Sequence, residues 1–220
     1  MKTIAFDIYG TLINPMALDE VLEEMIGNNY LAFNELWRNK QLEYSFRKAA
    51  MKKFNYFGEC TRQALDYCDQ FFESKLTNEQ KEELLGMYRK LPSYEESRAC
   101  LEAVKDKGIQ IAAFSNGRKE DLESLFRHAE IMDLFDLIVS VDEVRTFKPS
   151  PEVYQLLTEK CGGEKENIWM VSSNSFDIIG AGFYGLNTIW VQRNPKMVFD
   201  PFGYQPSKIV NDLSAVSTLI

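Results

Sequence analysis

The feature that most constrains the fold is a series of short apolar runs, none of them alternating, set between stretches of helical periodicity. TIAFDI at residues 3 to 8 is followed by IQIAAF at 109 to 114, LFDLIVS near 134 to 140, NIWMVSS at 167 to 173 and NTIWV at 187 to 191. Each run has the length and the β-branched or aromatic content of a strand. A strand with one wet face alternates polar and apolar residues, so these runs predict strands covered on both faces. Strand, helix, strand in repetition then predicts an α/β fold built on a parallel sheet. A helix is expected over 95 to 106, stopped at Gly108.

Residues 15 to 92 break the rhythm. ALDEVLEEMIG, AFNELWRNKQLEYSFRKAAMKK, CTRQALDYCDQFFESK and TNEQKEELLGMYRKL place apolar residues every three or four positions, and no strand candidate intervenes. Four helices are too many for one crossover, so the segment is expected to be an inserted helical cap, with 1–14 and 93–220 forming the core. Thr77 ahead of Asn78, Glu79 and Gln80 signals a helix start, and Pro92 marks the return to the core. A chain of 220 residues, 45% hydrophobic, suffices for one core and a smaller helical unit.

Composition narrows the function. A formal charge of −8 argues against a broad nucleic-acid surface. The first apolar run, interrupted at Asp7, is too short for a signal peptide or a membrane span, which predicts a cytoplasmic protein. Cys60, Cys68, Cys100 and Cys161 lack CxxC spacing and read as reduced thiols rather than zinc ligands. His128, the sole histidine, lies where a helix ends and reads as a surface or capping residue. No serine sits in GxSxG. GAGFYG at 180 to 185 follows a helical stretch instead of the first strand, so it lacks the context of a dinucleotide loop, and Gly180 and Gly182 are expected to let that helix pack closely on the sheet. The aromatics Tyr67, Phe71 and Phe72 fit packed cap faces; Phe54, Tyr56 and Phe57 suit either cap core or pocket lid.

In an open parallel sheet the active crevice lies at the carboxyl ends of the strands. Asp7, Ser115, Asn116 and Asp177 fall at or just past such ends. Singly, each has an ordinary reading as a helix cap, a loop tripeptide or, for Lys148, an exposed lysine. Together in one framework they resemble something more specific: FDIYGTL, FSNG, FKPSPEVY and VSSNSFDIIGAGFYG resemble, in order, the four motifs of the haloacid dehalogenase superfamily. With LWRNKQLEYSFR in the cap, the chain is similar over nearly its whole length to the type II (S)-2-haloacid dehalogenase branch.

The resemblance implies a Rossmann-like core, a homodimer and no cofactor or metal. It makes Asp7 the nucleophile, which displaces halide from a 2-haloacid and leaves an ester that water opens. Asp177 matches the acid that positions or activates this water, and Lys148 holds both carboxylates. Tyr9 stands where the superfamily's phosphatases carry the acid that protonates a leaving alkoxide; halide needs no proton. Ser172 replaces a phosphatase metal-binding acid. Thr11 and Ser173 are implied to orient Asp7, with Asn174 lining the cavity. Ser115 and Asn116 are expected to receive the substrate carboxylate, and Arg38 the halide, with Asn116 a second candidate for that role. Leu42, Phe57 and Phe176 form an apolar wall, and Tyr154 hydrogen-bonds near Lys148. Phe176 replaces the branch's usual tryptophan and Asn39 the glutamine after the cap arginine, changes that bear on pocket width and polarity. The expected reaction turns short (S)-2-haloacids into (R)-2-hydroxyacids. The alternatives are a magnesium-dependent small-molecule phosphatase and a non-enzymatic interaction protein with an inherited pocket.

Overall fold

The computed structural model describes residues 2–220. Six parallel strands run in the order β3-β2-β1-β4-β5-β6: β1 (Thr3–Asp7), β2 (Gln110–Ser115), β3 (Leu137–Ser140), β4 (Ile168–Ser172), β5 (Asn187–Val191) and β6 (Lys208–Val210). The helices are α1 (Asp19–Ile26), α2 (Tyr30–Ala50), α3 (Phe57–Phe72), α4 (Asn78–Tyr88), α5 (Ser97–Lys105), α6 (Lys119–His128), α7 (Pro151–Cys161), α8 (Ser175–Tyr184) and the short α9 (Val216–Leu219).

All five residues of β1 are buried, because helices cover both faces of the sheet. Successive side chains therefore enter two cores. Ile4 and Phe6 join Ile111, Ala113, Val171 and Ile189 on one face, while Ala5 joins Ala112, Phe114 and Met170 on the other. β1 pairs with β2 on one side and β4 on the other. The chain winds outward through β2 and β3, then returns across β1 to β4 and β5. This reversal opens a crevice at the carboxyl ends of β1 and β4, where Asp7 and Ser172 lie.

Helices α1 to α4 lie between β1 and β2 in sequence. Thr77 caps α4 with a full capping box: its side chain accepts from the Gln80 N–H and the Gln80 side chain accepts from the Thr77 N–H. The chain rejoins the core where the Asn14 N–H donates to the Pro92 carbonyl at 3.0 Å.

The structure differs locally from these expectations. β6 was not foreseen, since KIV is a three-residue edge strand with Ile209 exposed and carries too little pattern to detect. Leu134 belongs to a 3-10 turn ahead of β3, because Asp136 turns its carboxylate onto the Ile111 N–H at 2.8 Å and starts the strand after it. Phe71 is 61% exposed, facing out from α3 beside the inward Phe72. His128 ends α6 and is exposed, as expected of a surface residue. Gly180 and Gly182 do serve close approach, but toward other partners than the sheet. A Cβ on Gly180 would lie 2.5 Å from the Tyr154 hydroxyl, and one on Gly182 would collide with the Tyr204 ring.

Candidate active site

Lys148 is the centre of the crevice. It is 1% exposed, and its Nζ donates to Asp7 Oδ1 at 3.1 Å, Asp177 Oδ2 at 2.7 Å and the Phe114 carbonyl at 2.8 Å. All three ammonium protons are thereby used. Two buried carboxylates on one cation would be costly without further donors, and the two acids are supplied differently. Asp7 Oδ2 accepts from Thr11 Oγ1 at 2.9 Å, Asn174 Nδ2 at 2.7 Å and Ser172 Oγ at 3.0 Å. Among the described residues, Asp177 Oδ1 accepts from the Tyr154 hydroxyl alone, at 2.9 Å.

Their acidities diverge accordingly. Burial raises the Asp7 carboxyl, but the Lys148 charge and hydrogen bonds from Lys148, Asn174 and Thr11 outweigh it and hold Asp7 below its ordinary value. For Asp177 burial wins: Lys148 and Tyr154 oppose it, the Asp7 charge adds to it, and the carboxyl is pushed up to about 6. Near neutrality Asp7 is an anion with one oxygen, Oδ1, bound by a single donor. Asp177, beside it, titrates close to the working range.

The loop after β1 aims this carboxylate. Gly10 turns through φ 90°, a conformation that suits glycine, and a Cβ there would press to 3.2 Å from Ser173 Oγ. Ser173 does not touch Asp7; its hydroxyl donates to the Gly10 carbonyl at 2.6 Å and its N–H to Thr11 Oγ1 at 2.9 Å. It thus acts on Asp7 through Thr11, while the direct contact belongs to Ser172, to which the sequence reading gave no such contact. Arg193 was also missed. Its guanidinium donates to the Gly10 and Thr11 carbonyls and pairs with Glu96 at 2.8 Å, tying the loop to α5 and β5. Nothing in the sequence around Arg193 marks it, since its partners are backbone oxygens 182 and 183 positions away.

Asp7, Tyr9, Arg38, Leu42, Phe57, Ser115, Asn116, Lys148, Asn174 and Phe176 line one chamber. Residues from α2 and α3 therefore face residues from the strand ends across it. Its free volume is about 10 Å³, room for roughly one water. Arg38 donates to the Tyr9 carbonyl at 3.2 Å and to Gln41 Oε1 at 3.3 Å, and Gln41 also accepts from the Tyr88 hydroxyl at 2.8 Å. Tyr9 is buried against Tyr88 with ring centroids 5.5 Å apart. Burial, with the Tyr88 hydroxyl adding to it, pushes the Tyr9 hydroxyl far up, so it stays protonated. Asn116 Oδ1 accepts from the Lys148 N–H at 3.0 Å, which leaves its amide Nδ2 for a ligand. Ser115 Oγ accepts from the Gly117 N–H at 3.0 Å and retains a hydroxyl proton to donate.

Asn39 and Tyr154, both expected at the pocket, do not line it, although Tyr154 does hydrogen-bond beside Lys148 as expected. Asn39 is exposed on α2 and absent from the chamber, because one residue past Arg38 on a helix turns the side chain about 100° away. Gln41, three positions on, supplies the amide beside Arg38 instead. Tyr154 lies fully buried behind the chamber, where it orients Asp177 through its carboxylate and backbone carbonyl.

The donor set does not suit a divalent cation. Both Asp7 oxygens and both Asp177 oxygens already accept from ammonium, amide or hydroxyl donors, and Ser172 occupies a position where a carboxylate would be needed. A magnesium ion would have to displace Lys148 and bind without the several oxygen ligands it requires. Among the described residues no cluster of three potential ligands exists elsewhere.

Comparison with known proteins agrees with this geometry. Residues 1–183 match the family model of the haloacid dehalogenase-like hydrolases. The chain is 32% identical to an (S)-2-haloacid dehalogenase of Pseudomonas sp. (strain YL) over 219 residues, covering 100% of this chain and 94% of that protein. It is also 32% identical to haloacetate dehalogenase H-2 of Moraxella sp. (strain B), over 228 residues, with 100% and 98% covered. Among solved structures, L-2-haloacid dehalogenase from Xanthobacter autotrophicus with chloropropionic acid covalently bound superposes with a TM-score of 0.94 at 27% identity, covering 100% and 98% of the two chains. The loop that aims the Asp7 carboxylate, the buried lysine between two carboxylates and the full-length match lead to one statement: this chain belongs to the haloacid dehalogenase-like hydrolases.

Proposed function

We propose that the chain hydrolyses (S)-2-haloacids to (R)-2-hydroxyacids through an ester on Asp7. The observation that carries the reading is the unequal treatment of the two Asp7 oxygens. Oδ1, held by Lys148 alone, has the freer lone pair and attacks the halogen-bearing carbon from the side opposite the halide. The C–O bond forms as the carbon–halogen bond breaks, and the electron pair leaves with the halide toward Arg38 and Asn116 Nδ2. Ser115 and Asn116, at the end of β2, receive the substrate carboxylate.

Oδ2 then becomes the ester carbonyl oxygen, already surrounded by Thr11, Ser172 and Asn174. These three donors form an oxyanion hole for the second step. Water adds to the Asp7 carbonyl carbon, and Asp177 takes its proton. Collapse expels the hydroxyacid alkoxide, which recovers that proton, and Asp7, left as the carboxylic acid, releases the other water proton to solvent to return to its anion. Substitution at the substrate carbon occurs once and the second attack is at the enzyme's carbonyl, so the product has inverted configuration. Two accessible steps replace one direct displacement by water.

Residues 15–92 are read as a cap that moves. A chamber of about 10 Å³ admits no haloacid, so Arg38, Leu42 and Phe57 on α2 and α3 must withdraw for substrate to enter. The homodimer reading is supported by Leu31 and Phe71, both more than half exposed near the start of α2 and the end of α3. Four buried free thiols agree with a reducing cytoplasm.

The test is halide release from the separate enantiomers of 2-chloropropionate, with and without EDTA, for the wild type and Asp7→Asn. One enantiomer should turn over regardless of chelator, and the variant should be inactive. Magnesium-dependent phosphate release from phosphoesters, with no halide release, would reverse the assignment.

A further inference from the structure

We infer that the apolar pocket behind Phe176 is a subsite for the hydrocarbon tail of the substrate, so that this chain accepts 2-haloacids with medium-length alkyl tails. The inference rests on the haloacid reading above and names its substrate class more narrowly.

The catalytic chamber is nearly full, but a much larger cavity of about 710 Å³ lies against it. Phe46, Pro149, Phe176, Ile179, Phe183 and Phe202 are among its walls, and the only charged residue there is Asp200. Phe176 lines both spaces. Across from it Phe46 packs edge-on with ring centroids 5.0 Å apart, one helical turn beyond Leu42 of the chamber wall. The partition is therefore two half-buried rings from two elements, α2 and α8, with no hydrogen bond between those side chains. The polar groups of the chamber belong to the carboxylate, the halide and the reacting carbon. The fourth substituent of that carbon is left with the Leu42, Phe57 and Phe176 side, and past Phe176 the surroundings remain apolar.

A ring is about 3.5–4 Å from contact to contact on each face, so a tail of a few methylenes that turns Phe46 aside reaches the larger cavity. An alkyl chain is the ligand such walls select, because beside the rings, prolines and Ile179 their side chains carry only the Tyr184 hydroxyl and the Asp200 carboxylate, which already accepts from Ser175 Oγ. The position of Phe176 serves this directly. The wider tryptophan expected there from the resemblance would make a broader partition against Phe46 than this single ring does.

The experiment compares kcat/KM for racemic 2-bromopropionate, 2-bromohexanoate and 2-bromooctanoate in wild type, Phe183→Asp and Phe46→Trp. Phe183 is 66% exposed, lies two helical turns beyond Phe176 on α8 and does not line the catalytic chamber, so its replacement should leave folding and 2-bromopropionate turnover unchanged. Each methylene that enters should raise kcat/KM about fourfold, the value of one buried CH2. Both variants should lower 2-bromooctanoate turnover by about tenfold relative to 2-bromopropionate. Calorimetric titration of Asp7→Asn with octanoate and propionate reads the same subsite without any chemistry, and octanoate should bind more tightly. A flat or falling chain-length profile with equal affinity for the two acids overturns the subsite while leaving dehalogenation intact. So does a change of oligomeric state in Phe183→Asp with no change in profile, which would show a second copy covering the pocket. Absence of halide release from every substrate, 2-bromopropionate included, instead overturns the haloacid reading and this inference with it.

Discussion

Replacing Lys148 by methionine removes the charge and keeps most of the apolar stem. At an effective dielectric of about 20, the contacts of 3.1 Å to Asp7 and 2.7 Å to Asp177 correspond to gross attractions of about 5 and about 6 kcal/mol. Most of that is offset by the desolvation of three charged groups. Removing one partner of such a buried set leaves uncompensated charge, with a net loss of roughly 3–5 kcal/mol, a large share of a typical stability of about 5–15 kcal/mol. The loss must depend on pH in a definite direction. The Asp177 carboxyl stands at about 6 against an ordinary 3.8, so between those values the folded state binds more protons than the unfolded one. Ionisation of this group therefore lowers stability as pH rises through about 6, by about 3 kcal/mol for the two-unit displacement. Without Lys148, which opposes that displacement, the penalty grows. Urea denaturation at pH 7 and pH 5 should show Lys148→Met strongly destabilised at pH 7 and much closer to wild type at pH 5. A loss below about 1 kcal/mol at pH 7, the range of an exposed ion pair, or a gap that widens on acidification, would refute the account of the buried triad.

Three further outcomes follow from the geometry. Ser172→Ala removes one of three donors on Oδ2 and should slow ester hydrolysis by about a hundredfold or more, with a protein mass increased by the acid moiety persisting after mixing with 2-chloropropionate; unchanged decay of that adduct would exclude an oxyanion role. Arg38→Lys keeps charge but loses the guanidinium fork that reaches Tyr9 and Gln41, so rapid-quench measurement should show slower halide release, roughly a hundredfold, with ester decay little altered. In a single turnover in oxygen-18 water, mass spectrometry of the peptide containing Asp7 should find the label there and not in the first product, because water attacks the aspartyl carbonyl.

Much of this site was legible because its chemistry sits where sequence patterns are strongest. Asp7, Ser115 and Ser172 end strands whose unbroken apolar runs announce themselves, and Asp177 follows one of them in the first turn of α8. The less legible parts are those whose cause is orientation. Asn39 and Gln41 are both amides near Arg38 in the chain, and only the helical phase decides that the second faces inward. Ser172 and Ser173 likewise alternate across a strand end, so one reaches Asp7 and its neighbour reaches the loop beneath it. Arg193 could not be read at all, since it holds main-chain carbonyls that any sequence provides. Phe71 and Phe72 show the same limit on a helix: adjacent rings, one packed against Phe33 and one in water.

In the reaction proposed above, the first chemical step also prepares the second. Before reaction the crevice holds two carboxylates and two cations, Lys148 and Arg38, and the incoming haloacid adds one negative charge. Displacement makes Asp7 a neutral ester and places a full charge on halide, so negative charge moves from the Lys148 end of the chamber to the Arg38 end. The Asp7 charge is one of the influences holding the Asp177 carboxyl up at about 6; once it is gone, Lys148 is left to Asp177 alone and the carboxyl must fall. Asp177 is then ionised more completely at the moment a base is needed. The acid limb of ester decay, followed in single turnovers between pH 4 and 8, should therefore lie below the Asp177 titration midpoint of the free protein, measured by NMR on aspartate labelled with carbon-13 at the carboxyl. Equal midpoints would mean that the two carboxylates do not communicate through the lysine, and a higher one would mean that Asp177 is not the base.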